Sequence, residues 1–246
     1  MRLYLSTTEF IETSELIDLS MTLQSSPENV RAWYVDPPRM EPVRANGFIG
    51  SIEEGGSVNF RDVFFNPHGH GTHTECCGHI TQEVYAVNDV LKEYFYRATL
   101  ITVDPVQLEN GDFVVQAEQI APYLQKDFSD AVLIRTLPNG LDKKSMNYSG
   151  TNPCYFDIDV VALLNEYGVK HFLVDQPSVD REEDGGALAF HHAFWNVPDN
   201  PNFERTITEL IYVPNDVVDG TYILEIQLAA FQNDASPSRP ILYKIQ

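Results

Sequence analysis

The apolar residues of this chain come in runs too short for buried helices. Leu100–Val103, Ala131–Thr136 (AVLIRT) and His171–Asp175 (HFLVD) span four to six residues each, the length of fully buried strands. Glu15–Leu23, Ser57–Phe65, Thr221–Ala229 and Ile241–Ile245 read as further strands. Asp36–Val43, broken by Pro37, Pro38 and Pro42, reads as a loop. One segment has a clear helical pattern: Asp157–Tyr167 (DIDVVALLNEY), with Asp157 or Asp159 to cap its start and Gly168 just past its end. Strands dominate and helices are interspersed. This predicts an α/β or α+β chain with a mainly β core, one main sheet and flanking helices. No internal repeat or low-complexity linker divides it, so residues 1–246 are expected to form a single domain.

The 36 acidic and 16 basic residues give a formal charge of −20. Such a surface repels phosphate backbones, which argues against nucleic acid as a partner. No apolar run approaches the roughly 20 residues of a membrane span. The segment Met1–Phe10 has no apolar core of the kind a secretory signal carries. A cytoplasmic protein that does not associate with membranes is expected. Its three cysteines, Cys76, Cys77 and Cys154, are expected to be reduced thiols: the count is odd and two are adjacent.

Chemistry concentrates in one stretch. Of seven histidines, His68, His70, His73 and His79 fall within twelve residues, in NPHGHGTHTECCGHI. Neutral imidazole and carboxylate together suit a divalent ion. His73 and Glu75 are two apart, so an extended backbone projects both to one face, which Cys77 and His79 continue. Gly69 and Gly71 let the backbone turn tightly, so that His68 or His70 can reach the same point. His79 lies where a general base is expected. His191 and Glu209 can complete a second ion position from other elements, whereas His192, adjacent to His191, is expected to face away. Cys76 and Cys77 are expected to be core thiols. Phe64, Phe65, Phe190 and Trp195 flank the motifs and are read chiefly as core residues. Trp33 and Tyr34, in the proline-rich early loop, are the better candidates for a lid.

These residues resemble the cyclase-like metal hydrolases that include bacterial kynurenine formamidase and isatin hydrolase. That family's motif reads His-x-Gly-Thr-His-x-Asp followed by a further His. Gly71-Thr72-His73-Thr74-Glu75 matches its middle, with Glu in place of Asp, and His79 falls at its last His. The resemblance continues in order through Ile17-Asp18-Leu19-Ser20, Leu133-Ile134-Arg135-Thr136, Pro177-Ser178-Val179-Asp180 with His191, Glu209-Leu210, Gly220-Thr221-Tyr222 and Ser236-Pro237-Ser238-Arg239. The family's first motif His falls on Gly69, between His68 and His70. A bulge at the glycines can bring in either, and His68 is preferred.

The resemblance implies a swivelling β/β/α-type fold and a homo-oligomer, dimer or tetramer. It implies one or two divalent ions, zinc or manganese, among His68, His70, His73, Glu75, His191 and Glu209, with His79 as base. It also implies hydrolysis of a small-molecule amide, an aryl formamide or a cyclic amide. Turnover of another cyclic substrate, and metal or ligand binding without turnover, are the competing expectations. The presence of His79 favours catalysis, since a binding protein needs no base there.

Overall fold

The computed structural model describes residues 1–126 and 128–246. Its centre is an eight-stranded sheet. In chain order the strands are β1 (Leu16–Asp18), β2 (His73–Glu75), β3 (Phe95–Val103), β4 (Ala131–Thr136), β5 (His171–Val174), β6 (Thr206–Glu209), β7 (Gly220–Leu228) and β8 (Ala235–Lys244). Their spatial order is β7-β3-β4-β5-β6-β2-β8-β1, and an additional β7–β8 pairing closes seven of them into a barrel. Strands β3 to β6 run parallel to one another. β2, β7 and β8 join antiparallel.

Period-two alternation divides the core. In β4, Val132 and Ile134 face outward to a layer that holds Val160 and Leu164 of helix α1 (Asp159–Glu166) and Phe190, Phe194 and Trp195 of helix α2 (Ala189–Trp195). Leu133, between them, faces the barrel interior, where it is in register with Leu100 and Leu173. The expected mainly β core with flanking helices is the observed one. Phe190 and Trp195 are core residues. Phe190 stacks on Phe172 at 5.7 Å, and the Trp195 indole donates to the Arg205 carbonyl.

The expected helix starts two residues late, because the Asp157 carboxylate accepts the Asp159 amide. It ends as expected at Gly168, whose φ of 73° is left-handed. The strand read at Glu15–Leu23 is cut to Leu16–Asp18: the Ser20 amide turns back onto the Asp18 carboxylate, and the Met21 amide leaves the sheet for the Thr72 hydroxyl. Part of the expected loop is extended. Arg39–Pro42 pairs with Arg61–Phe64 in a hairpin that stands off the main sheet, where Pro42 occupies a strand end and removes no central hydrogen bond. Phe48, Phe60, Val63 and Phe64 of this arm are exposed.

Candidate metal centre

β2 lies between β6 and β8, and its register assembles the site. His73 is opposite Glu209, and Glu75 is opposite Ala235 of β8. Thr74 points the other way and bonds Thr208 across the strands. His73, Glu75 and Glu209 therefore share the helix-covered face. Asp234, just before β8, and His79, the last residue of a single turn at Cys77–His79, close one side. His191 arrives from α2. Asp180 fixes it there: its carboxylate accepts the Phe190 and His191 amides at the helix start and the His191 Nδ1–H at 2.6 Å.

Four imidazoles and four carboxylates converge. His68 Nδ1 is 3.0 Å from Glu75 Oε2, and its Nε2 is 2.9 Å from Asp234 Oδ2. His191 Nε2 is 3.0 Å from Glu75 Oε1. His79 Nδ1 is 3.2 Å from Asp234 Oδ2, which leaves its Nε2 3.9 Å from Glu75 Oε2. The His68 and His79 rings stack at 4.2 Å. Glu209 Oε1 accepts the Val179 amide, and its Oε2 stands 3.4 Å from His73 Nε2.

The electrostatics follow from this packing. Burial alone would strip the charge from His68, but Asp234 and Glu75 override it and push the imidazole up to about 10. His191 is raised to about 10 in the same way: burial opposes, and Asp180, Glu75 and Glu209 prevail. Burial opposes the ionised Glu75 as well, yet His79, His191 and His68 hold its carboxyl well below the usual range.

His73 tests most directly whether the cluster fits a cation. It is fully buried and its Nδ1–H donates to the Gly71 carbonyl, which leaves the Nε2 lone pair facing the Glu209 carboxylate. His73 Nε2 has no hydrogen-bond partner among the described residues, and the only close neighbour of Glu75 Oε2 is the His68 ring at 3.0 Å. A buried acceptor turned toward a carboxylate, as His73 Nε2 is toward Glu209, is unfavourable unless a cation lies between them. His73, Glu75 and Glu209 form one set of donor atoms close enough to share an ion, and His68, Glu75 and His79 form another. The residues fit a divalent ion, with Glu75 common to both sets.

His70 is not brought to the cluster. Its Nδ1 accepts the Asn66 amide and its Nε2 bonds the Asp36 carbonyl, so backbone groups satisfy both ring nitrogens. The turn decides between the two neighbours. A Cβ at Gly69 would sit 2.8 Å from Val35 Cγ2, and Gly71 has a φ of 138°, so the backbone passes tightly here and His68 is the ring delivered inward. His192 faces away, onto the Val197 carbonyl. His171 is a core residue bonded to Thr206, and burial lowers it to about 3. Cys76 and Cys77 are buried thiols. Asp234, the principal residue that sequence reasoning missed, directly precedes β8, and the pairing of β8 with β2 brings it beside His68.

A cavity of about 310 Å³ opens on the cluster, with His68, His79, His191 and Glu209 on its floor. Trp33 forms part of its wall. The backbone holds Trp33 and Tyr34 at consecutive left-handed positions, φ 60° and 57°, and the Tyr34 amide is tied to the Ser149 hydroxyl. Tyr34 itself is exposed.

Comparison with known proteins bears on the family and the fold. The family model Cyclase, described as "Putative cyclase", matches residues 17–181. A kynurenine formamidase from Bacillus cereus is 29% identical over 238 residues, 96% of this chain and 100% of its own length. One from Bacillus anthracis is 28% identical with the same coverage. Isatin hydrolase A from Labrenzia aggregata, solved with benzyl benzoate, superposes with a TM-score of 0.64 at 16% identity, covering 93% of each chain. A structure described as a potential metal-dependent hydrolase with cyclase activity superposes with a TM-score of 0.63 at 15% identity, over 93% of this chain and 97% of its own. At these identities the structural likeness is one of fold.

Proposed function

The chain belongs to the Cyclase family, as its motifs suggested, and on that premise we propose that it is a metal-dependent amidohydrolase of a small aryl formamide or cyclic aryl amide. The observation that carries the reading is the unpartnered His73 Nε2, turned toward the Glu209 carboxylate inside a buried cluster of imidazoles and carboxylates. The full-length similarity to kynurenine formamidases supports the amide as the bond cleaved. The cavity's volume, about 310 Å³, is at the lower end of the range for small-molecule sites, and the Trp33 ring offers an aryl group a flat wall.

His68, His73, Glu75, His191 and Glu209 would hold one or two ions, zinc or manganese by the chemistry of the donor set. When bound, such an ion supplies a Lewis acid and brings the pKa of a water down to about 7. His79 is placed to move the proton. Asp234 holds its Nδ1–H, so Nε2 faces the cavity as the acceptor. It takes a proton from the attacking water and returns it to the leaving nitrogen. Asp180 keeps His191 in one tautomer and orientation. Metal analysis of protein purified without chelator, followed by hydrolysis assays on formanilide and isatin, tests the reading. Metal-free protein that no divalent ion reconstitutes would refute it.

The raised imidazoles carry a second expectation. In the ion-free protein their protonation stabilises the fold below about pH 6.5, and this contribution is lost as pH rises through about 10. An ion must displace those protons, so its apparent affinity falls as pH falls. Calorimetry in buffers of different ionisation enthalpy should show about two protons released on filling the cluster. No release would mean that His68 and His191 are not displaced donors.

The family resemblance also carries the expectation of a homo-oligomer, and the exposed apolar side chains of the 39–64 arm are consistent with one. Light scattering should give a dimer or tetramer of the 27.9 kDa chain; a monomer would refute it. No helix among the described residues is long and apolar enough to cross a membrane.

A further inference from the structure

A second cavity, of about 390 Å³, lies beyond the carboxyl ends of β3, β4 and β5. Ligands gather in this position in parallel sheets. Its walls are apolar, from Phe113, Leu137, Pro138, Met146 and Pro153. Its floor is polar, and the Lys143 and Asp175 charges there match each other; Asp104 and Asp142, also in the lining, are exposed to solvent. The Lys143 ammonium donates to the Thr136 carbonyl at 2.8 Å, the Thr136 hydroxyl at 3.0 Å and Asp175 at 2.8 Å, which uses all three of its protons. Asp175 also accepts the Thr136 amide and hydroxyl. An anion entering this cavity would find no free cation there, because the Lys143 ammonium is fully used.

Two polar groups are left over. The Tyr148 ring lines the cavity, and its hydroxyl is buried without a hydrogen-bond partner among the described residues. Burial, reinforced by Asp175 and Cys154, pushes this phenol up, so it remains a neutral donor. Gln176 donates through its side-chain nitrogen to the Thr136 hydroxyl at 2.6 Å and to Asp175 at 3.3 Å. Its carbonyl oxygen then remains as an acceptor. A donor without a partner and a free acceptor beside an internally matched ion pair, between apolar walls, match an amide on a planar ring. The carbonyl of such a ligand meets Tyr148, its N–H meets Gln176 and its ring meets the walls.

We propose that this cavity is a binding site for a small neutral aromatic amide, separate from the metal cluster. The two sites are close. The Gln176 backbone carbonyl accepts the amide of Leu210, the residue after Glu209, and Tyr148 packs in one apolar cluster with Leu210 and Trp33. The proposal does not depend on the amidohydrolase reading, because no residue of the metal cluster takes part in it.

The test is binding of benzamide to the whole protein, followed by ligand-observed NMR before and after treatment with a chelator. Saturable millimolar binding that survives the chelator is expected. Tyr148→Phe should weaken it about tenfold, the scale of one buried hydrogen bond. That variant keeps the ring and removes a hydroxyl with no partner, so its melting temperature should equal or exceed that of the wild type. Absence of saturable binding would overturn the proposal, as would Tyr148→Phe binding benzamide as well as the wild type. Loss of binding on chelation would place benzamide at the metal cluster and overturn it as well.

Discussion

Glu75→Ala will leave the purified protein with less than about a tenth of an equivalent of divalent metal and lower amide hydrolysis by about a thousandfold or more. Glu75 is the one residue common to both sets of donor atoms, and it is 1% exposed. Its Oε1 receives His191, while its Oε2 faces His68 and His79. Removing it deletes a donor from each set and leaves His68 and His191 with one carboxylate partner fewer. Metal analysis beside steady-state kinetics measures both effects. Glu75→Asp gives the sharper comparison, because the related family carries Asp at this position. Here the shorter side chain draws the carboxylate back from His68 and His191, so Glu75→Asp should keep metal more weakly than the wild type and retain part of the activity. If Glu75→Ala binds metal stoichiometrically, the centre is not built as described.

Local pattern made part of this legible. His73 and Glu75 share a face because strand side chains alternate, and that placement needed only the two-residue spacing. The buried runs at Ala131–Thr136 and His171–Val174 became adjacent parallel strands for the same reason. The choice between His68 and His70 was not legible. It depends on how tightly the Gly69–Gly71 turn passes Val35, and on a carbonyl at Asp36 that takes the His70 ring out of play. Asp234 lies 155 residues from His79 and meets it only through the pairing of β8 with β2. No period or spacing reports a contact of that range. The second strand of the hairpin arm, Arg61–Phe64, lies within the expected Ser57–Phe65 strand, whereas Arg39–Pro42 is extended where prolines argue for a loop, because at a sheet edge a proline costs little.

His79 poses the remaining question, and its replacement separates two roles. The ring is among the more open of the cluster, with its side chain 31% exposed. One nitrogen is held by Asp234 and the other is 3.9 Å from Glu75. That second distance is long for a hydrogen bond, but suits a nitrogen that turns toward a substrate in the cavity. As a base, His79 is needed for proton transfer and not for retaining the ion. His79→Ala should therefore keep the metal content of the wild type, change KM little and lower kcat by about 10²–10⁴-fold. Asp234→Asn should lower kcat in the same direction but less, by about 10- to 100-fold, because the ring stays and only the charge that orients it is lost. If His79 is instead a ligand of the His68, Glu75 and His79 set, its loss must lower metal content along with activity. Metal analysis of the two variants, set beside their kcat, distinguishes the roles: metal retained with turnover lost assigns proton transfer to His79, and metal lost with turnover makes it a ligand.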